Sequence, residues 1–187
     1  MRVITGCSRS GTSFICQLLV ELGADFGNGD ELVAADEWNS RGYFENRAAN
    51  TLNHRLLFGP WSNPALWVDV MWPKNAWVRF RKLSTLAMGP LLTNPGQITR
   101  RGEKLADQIT SISEANAGRC VKDPRFCYLM EPWEHHGSVQ SVLFVLRHPW
   151  ESASSMSRQT KLPLSLTYRG WLDSIQRFWG APPRAPV

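Results

Sequence analysis

The N-terminal segment, residues 3–13, constrains the fold of this chain more than any other part of the sequence. It reads Val-Ile-Thr-Gly-Cys-Ser-Arg-Ser-Gly-Thr-Ser. A short β-branched run stops at Gly6, small residues follow, and apolar residues at helical spacing begin at Phe14. This order predicts a strand over 2–5, a loop, and a helix over 10–22. A unit of this kind is typical of a sheet flanked by helices.

The loop after the first strand has the composition of a site for phosphate or a related oxyanion. In a glycine-containing loop that opens a helix, backbone N–H groups converge on one point where the helix dipole favours negative charge. Arg9 adds a fixed cation. The loop is not a Walker A sequence, because Gly11 is followed by Thr12 and not by lysine. An ordinary turn of small residues is the alternative interpretation.

The composition is typical of a globular protein with one hydrophobic core. The chain has 187 residues, of which 43% are hydrophobic and 20% are charged, and this length suits one domain better than two. We expect a single domain over 1–187. Within it, residues 24–97 are expected to form an insertion or lid, and the proline-rich residues 180–187 a frayed tail.

The distribution of charge favours an anionic small-molecule ligand over nucleic acid or a membrane. The net charge of +5 suits an anionic ligand. The basic residues form no run of five or more, so no nucleic-acid-binding tail is expected. No segment approaches the apolar length of a membrane span, and the N-terminus lacks the core of a signal peptide. These features predict a cytoplasmic protein that binds neither nucleic acid nor membrane.

The cysteines indicate neither a metal site nor a disulfide framework. They are Cys7, Cys16, Cys120 and Cys127, which form no CxxC pair and no zinc-binding spacing. We therefore predict reduced, structural thiols and no metal. Cys7 lies near a helix N-terminus and is an alternative nucleophile, but no base that would orient it is evident.

Later segments predict a mostly parallel sheet. Short strands are expected at 119–122 and 139–146, and the continuous Val-Leu-Phe-Val-Leu run at 142–146 is typical of a strand buried on both faces. Asp123 and Pro124 favour a helix start between these strands. The other expected helices cover 45–57, 77–88, 98–117, 150–159 and 163–179, and 59–77 is expected to be irregular. The predicted fold class is α/β, with a central sheet flanked by helices.

Polar sequences follow all three predicted strands. They are the loop after Gly6, Lys-Asp-Pro-Arg at 122–125, and Arg-His-Pro at 147–149. Because ligands of parallel sheets bind at the carboxyl ends of the strands, these sequences predict one shared ligand site.

Four blocks of the sequence resemble the cytosolic-type bacterial sulfotransferases. They are Gly-Cys-Ser-Arg-Ser-Gly-Thr-Ser (6–13), Arg-Gly-Tyr-Phe-Glu-Asn (41–46), Val-Lys-Asp-Pro-Arg (121–125) and Leu-Arg-His-Pro-Trp-Glu-Ser-Ala-Ser-Ser (146–155). Their order and spacing agree with that family, and the similarity extends through Leu-Pro-Leu at 162–164. The resemblance implies a P-loop-NTPase-like sulfotransferase fold and the sulfuryl donor 3′-phosphoadenosine 5′-phosphosulfate (PAPS), with the product PAP.

The resemblance also implies which residues bind the nucleotide. The loop is similar to a cradle for the 5′-phosphosulfate, formed by Gly6, Ser8, Arg9, Ser10, Gly11, Thr12 and Ser13. Arg147 and Ser155 look like the pair that binds the 3′-phosphate. An arginine leaving a strand end can grip a phosphate with two nitrogens. The alternative for Arg147 is an ion pair with Glu151, one helical turn onward.

By the same resemblance, Arg9, Lys122 and Glu45 are the expected catalytic residues. Arg9 and Lys122 would meet the charge that develops on the leaving phosphate. A solvated lysine paired with Asp123 is the alternative for Lys122. Glu45 is the favoured general base, and a stabilising charge at a helix N-terminus is its alternative. The other candidate bases are Asp36, Glu31, Asp123 and His54.

Several interpretations stay open at this stage. The expected acceptor is a hydroxylated small molecule or carbohydrate. Arg125 either contacts a ligand or is a helix-surface charge. Sulfotransferases commonly carry a glycine-and-lysine loop that closes over the 3′-phosphate, and Arg158, Lys161 or Arg184 could replace it. A non-catalytic PAP-binding relative and a P-loop kinase of small metabolites are the alternative functions.

Overall fold

Three parallel strands form the sheet of this protein. The computed structural model describes residues 1–35, 42–59 and 94–187. Within them, β1 (Arg2–Gly6) lies between β2 (Cys120–Lys122) and β3 (Ser141–Val145). Both pairings are parallel, with Ile4 opposite Lys122 and Gly6 opposite Val145. The predicted α/β class with a parallel sheet flanked by helices is therefore confirmed.

Seven α-helices surround this sheet in the described ranges. Several start where the sequence offers a cap or a proline: the Asn46 side chain accepts the N–H of Ala49, the Asn94 side chain caps the next helix, and Pro149 opens another. In chain order the helices are α1 (Thr12–Glu21), α2 (Arg47–Phe58), α3 (Pro95–Lys104), α4 (Ala106–Ala115), α5 (Phe126–His136), α6 (Pro149–Thr160) and α7 (Leu164–Gly180).

Two helix predictions differ from the structure. The single helix expected over 98–117 is two helices, α3 and α4, separated at Leu105. This break follows Gly102, where an added Cβ would lie 2.7 Å from the Pro132 Cβ, a tertiary contact that local spacing does not encode. The helix expected from Pro124 begins at Phe126, because the Asp123 side chain accepts the N–H of Arg125 at 2.9 Å and holds a turn before it.

Two predictions about the last part of the chain are wrong. β3 is not buried on both faces, since Leu143 is 42% exposed and β3 forms one edge of the described sheet. The tail is not frayed either. The Pro186 carbonyl accepts the N–H of Val142 at 2.8 Å, and the N–H of Ala185 donates to Glu134 at 2.8 Å. The strand edge needs acceptors for its N–H groups, and the tail supplies one.

The main hydrophobic core lies between β1, α2, α5 and α7. Its largest fully buried side chains include Trp133, Phe126, Leu52 and Phe178. A smaller cluster around Ile4, Cys16, Phe26 and Cys120 lies on the α1 side of the sheet. No helix among the described residues is long and apolar enough to cross a membrane.

Some predictions fall on other parts of the chain. The helix expected at 77–88, the irregular segment beyond residue 59 and much of the expected insertion at 24–97 lie outside the described residues. The same holds for Asp36 and for Arg41 of the second sequence block.

Candidate functional site

The loop between β1 and α1 is built by unusual backbone angles. Gly6 has φ 152° and Gly11 has φ 92°. A Cβ at Gly6 would lie 2.3 Å from the Val145 carbonyl oxygen, so only glycine fits beside β3. Arg9 also has a positive φ of 66°, which costs a non-glycine residue of the order of 1–3 kcal/mol. The loop therefore holds Arg9 in a conformation that local preference disfavours.

The start of α1, which follows Gly11, has no side-chain cap and no acidic residue near it in the first turn. The N-terminal N–H groups of a helix carry the positive end of its dipole. The predicted cradle residues Ser8, Ser10, Thr12 and Ser13 lie in or beside this turn. The arrangement can accept the oxygens of a phosphate or a phosphosulfate.

Arg9 contacts Ser155, a residue for which the family resemblance implies a role at the 3′-phosphate. Its Nε donates a hydrogen bond to the Ser155 Oγ on α6 at 3.1 Å. The loop after β1 and the helix after β3 therefore meet through these two side chains. The structure brings together one residue expected at the 5′ end and one expected at the 3′ end.

Arg147 forms the ion pair with Glu151 that the sequence analysis gave as the alternative to phosphate binding. Its Nε lies 2.7 Å from the Glu151 Oε2, and the two side chains are 43% and 56% exposed. The hydrogen bond and charge of Arg147 hold the pKa of Glu151 below its usual range. Arg147 follows β3 by two residues, and Val145 pairs with Gly6. Arg147 and the loop therefore lie at the same edge of the sheet.

Lys122 and Glu45, the other predicted catalytic residues, are in direct contact. The Lys122 Nζ lies 2.7 Å from the Glu45 Oε1, and the two side chains are only 3% and 13% exposed. The second oxygen of Glu45 accepts a hydrogen bond from Asn50 at 2.6 Å. Lys122 also lies 5.9 Å from the centre of the Tyr43 ring. The structure therefore pairs Lys122 with Glu45 and not with Asp123.

Glu45 lies in the extended segment before α2, and backbone contacts of that segment hold it in position. The helix begins at Arg47, two residues later than the sequence suggested. The N–H of Val33 donates to the Glu45 carbonyl at 2.8 Å, and Leu32 forms an isolated antiparallel bridge with Asn46. These contacts hold the extended segment that carries Glu45 against the end of β2.

Asp123 and Arg125 form a second charged pair beside the first. The Arg125 Nε and Nη2 donate to the two oxygens of Asp123 at 2.9 Å and 2.7 Å. Asn53 donates to the same carboxylate and accepts from the Trp133 indole. Sequence spacing missed this buried network, although the Lys-Asp-Pro-Arg block contains two of its members.

The Arg125 guanidinium links the two pairs. Its Nη2 lies 3.9 Å from the Glu45 Oε2. Burial alone would lower the pKa of Arg125, but the charge and hydrogen bonds of Asp123, with a further contribution from Glu45, raise it above its ordinary value. Arg125 is therefore a fixed cation of the site, and its alternative as a helix-surface charge is wrong because its side chain is 13% exposed.

The remaining candidate bases have other partners. Asp123 is committed to Arg125 and Asn53. Glu31 binds Arg119 at 3.3 Å, and His54 packs on Phe58. Among the candidates in the described ranges, Glu45 is the one that contacts Lys122.

The cysteine thiols are protected and not activated. All four are free and buried. Burial raises the pKa of Cys7 far above its usual value, and it raises the pKa of Cys16 and of Cys127 to about 12. A thiolate nucleophile at Cys7 is therefore not supported. Across the described residues, no group of three or more His, Cys, Asp or Glu side chains could hold a metal ion.

Comparison of the chain with models of protein families, with curated proteins and with solved structures found no significant match. The four sequence blocks and the geometry of the site are the features of this chain that bear on its function.

Proposed function

We propose that this protein is a sulfotransferase that moves a sulfuryl group from PAPS to a hydroxyl of a small molecule or carbohydrate, on a P-loop-NTPase-like sulfotransferase fold. The observation that carries the proposal is the buried Lys122–Glu45 contact of 2.7 Å at the carboxyl end of β2. Lys122 is the last residue of β2, the strand next to β1, and Glu45 reaches it from the extended segment before α2. A cation and a carboxylate therefore lie together beside the strand that leads into the loop before α1.

The residues present fit a doubly anionic nucleotide. The loop has an uncapped helix start without acidic side chains, and Gly6 leaves no Cβ between the loop and β3. Gly6, Ser8, Arg9, Ser10, Gly11, Thr12 and Ser13 would hold the 5′-phosphosulfate. Arg147 and Ser155 would hold the 3′-phosphate. When bound, PAPS supplies the sulfuryl group.

Glu45 and Lys122 have complementary tasks in this proposal. The acceptor oxygen forms its bond to sulfur while the bond from sulfur to the 5′-phosphate oxygen breaks. Glu45 takes the proton of the acceptor hydroxyl. Lys122 holds the Glu45 carboxylate in position before the reaction, and with Arg9 it meets the negative charge that grows on the phosphate oxygen.

A non-catalytic PAP-binding relative is the second candidate. The same pair favours this candidate, because Lys122 and Glu45 already neutralise each other's charge. A buried ion pair of this kind can have a purely structural role. In that case the nucleotide would bind at the loop while Glu45 took no part in any reaction.

The experiment that separates these candidates uses sulfur-labelled PAPS and a panel of hydroxylated acceptors. PAP binding is measured in parallel by calorimetry. A sulfotransferase gives labelled product and binds PAP. A non-catalytic relative binds PAP without labelled product. Absence of both binding and transfer would contradict both candidates, and magnesium-dependent ATP hydrolysis would favour a kinase.

A further inference from the structure

Asn50, the fourth residue of α2, makes a direct contact with the Glu45 carboxylate. Its Nδ2 donates a hydrogen bond to the Glu45 Oε2 at 2.6 Å. A carboxylate can only accept hydrogen bonds, so the nitrogen of the Asn50 amide, and not its oxygen, must face Glu45. A hydrogen bond to an acceptor of this kind is stronger than one between two neutral groups.

The two oxygens of Glu45 have different partners. Oε1 accepts a hydrogen bond from the Lys122 ammonium at 2.7 Å, and Oε2 accepts the one from Asn50. The Arg125 Nη2 lies 3.9 Å from Oε2, which is too far for a hydrogen bond but close enough for attraction between charges. Each carboxylate oxygen has two lone pairs. The carboxylate is therefore held at both oxygens and can still accept a proton.

Lys122 and Asn50 differ in what they fix. A lysine ammonium is a compact charge with three rotatable donors, so it attracts an oxygen without setting the plane of the carboxylate. The terminal torsion of a glutamate is broad and roughly two-fold, and this plane can turn when only one oxygen is held. A planar donor on the second oxygen removes that freedom. Asn50 thus supplies the direction that Lys122 lacks.

Asn50 extends from a helix that is firmly anchored. The Asn46 side chain caps the start of α2. On the same helix Asn53 is fully buried and joins α2 to α5 by accepting the N–H of the Trp133 indole. Glu45, in contrast, lies in the extended segment before the helix. Support of this kind, by a side chain on a rigid element, is what precise placement of a reacting group requires.

We propose that Asn50 is a positioning residue, which fixes the plane of the Glu45 carboxylate so that a lone pair points at the acceptor hydroxyl. This role rests on the proposed sulfotransferase function. A general base must lie within hydrogen-bond reach of the proton that it takes. A carboxylate that turns freely presents a lone pair there for only part of the time. In this role Asn50 acts only through Glu45.

The substitution Asn50→Leu tests the role, because it removes the amide donor and keeps a branched side chain on a helix that leucine favours. We expect kcat for sulfuryl transfer to fall by about ten- to a hundredfold, as for a reacting group that is misplaced by about 1 Å. The acceptor KM and the calorimetric affinity for PAP should stay within about twofold, because the lost interaction acts on the transition state. Thr51→Leu, at an exposed position of the same helix, is the matched control and should change none of these quantities.

The variant Glu45→Gln separates positioning from a general structural effect. If Asn50 acts only through the carboxylate, Asn50→Leu should lower kcat by less than about twofold in the Glu45→Gln background, because residues that act as one unit are not additive. A further loss as large as the one in the unchanged background overturns the proposal. A kcat of the single variant Asn50→Leu equal to that of Thr51→Leu overturns it as well.

A second measurement examines the contact without nucleotide or acceptor. The side-chain NH₂ signal of Asn50 is identified by NMR of the intact protein as the signal that Asn50→Leu removes. The double variant Glu45→Ala/Lys122→Met removes both charges of the ion pair. In it we expect exchange of the Asn50 NH₂ protons with water to become at least about tenfold faster, since a hydrogen bond to a charged group is lost. Unchanged exchange would show that Glu45 does not hold the Asn50 amide, and it overturns the proposal.

The outcomes for Asn50 and for the proposed function are distinguishable. If labelled product forms and Asn50→Leu behaves like its control, the positioning role fails and the sulfotransferase function stands. If the unchanged protein forms no product, the sulfotransferase function fails. The positioning role of Asn50 then fails with it, even where the exchange measurement finds the hydrogen bond.

Discussion

Glu45 and Lys122 come from distant parts of the chain and are almost fully enclosed when they meet. Sequence reasoning selected both residues from a family resemblance, but it could not show that they touch. That contact depends on the extended segment before α2, which is fixed by Val33 and Leu32. The spacing of residues 42–46 contains no signal for such a bridge, since it is formed by tertiary backbone contacts.

The substitution Glu45→Gln tests the proposed role of the Glu45 carboxylate as general base. We expect kcat to fall by about 10²–10⁴-fold, the range that general acid–base catalysis contributes, while the affinity for PAP changes little. Glutamine retains an acceptor for Lys122. Glu103→Gln, an exposed residue of α3, is the matched control. A kcat within twofold of the unchanged protein would mean that the pair is structural.

The substitution Glu45→Ala tests how much the Lys122–Glu45 ion pair contributes to the free energy of unfolding. Removing the carboxylate leaves the ammonium of Lys122 buried without a counter-ion, which costs about 3–5 kcal/mol. Urea unfolding should therefore show a loss of that order, and the double variant with Lys122→Met should recover part of it. If the single variant unfolds at the same urea concentration as the parent, the ion pair does not contribute to stability.

At the scale of elements, the loop after β1 depends on close approach of its backbone to β3. Gly6→Ala would place a Cβ 2.3 Å from the Val145 carbonyl at a φ of 152°, so we expect a loss of stability of more than about 1 kcal/mol. Gly170→Ala on α7, where an added Cβ meets nothing within 4 Å, should be neutral or stabilising. Urea unfolding of both variants measures the difference, and equal stability would show that the loop can relax.

The ion pair at the start of α6 competes with the predicted 3′-phosphate site. Arg147 must leave Glu151 to grip a phosphate, and Glu151 also repels an anion. We therefore expect Glu151→Gln to tighten PAP binding a few-fold in calorimetry at low salt, with a smaller effect on adenosine 5′-phosphosulfate, which lacks the 3′-phosphate. Glu114→Gln on α4 is the control. Equal effects on both nucleotides would argue that Arg147 does not read the 3′-phosphate.

Elements that depend on short-range sequence patterns were predicted well, and features that depend on contacts between distant segments were not. The β1–loop–α1 unit and α6 follow from short-range patterns, and their predicted bounds are close to the observed ones. The division into α3 and α4, the exposure of Leu143 and the docking of the tail depend on contacts between distant segments. Asn53, which joins Asp123 to Trp133, was missed for the same reason, because an asparagine within a helix gives no sign of what it will face.

At the scale of the whole molecule, the reactivity of the four buried cysteines measures how well the folded chain protects its interior from solvent. Because burial raises the pKa of Cys16 and of Cys127 to about 12, their thiols stay neutral at pH 8, and the thiolate is the reactive form. We expect a thiol-specific reagent at pH 8 to react slowly with the folded protein and rapidly with all four cysteines after unfolding. Rapid reaction of the folded protein would contradict the enclosed core.

The architecture brings the ends of β1, β2 and β3 to one edge, and the account requires that a single nucleotide span that edge. A crystal structure of the protein with PAP tests this most directly. We predict that the 5′-phosphate accepts hydrogen bonds from the loop that opens α1, and that the 3′-phosphate contacts Arg147 and Ser155 after Glu151 has been released. PAP bound at another surface, or no PAP bound at saturating concentration, would contradict the account.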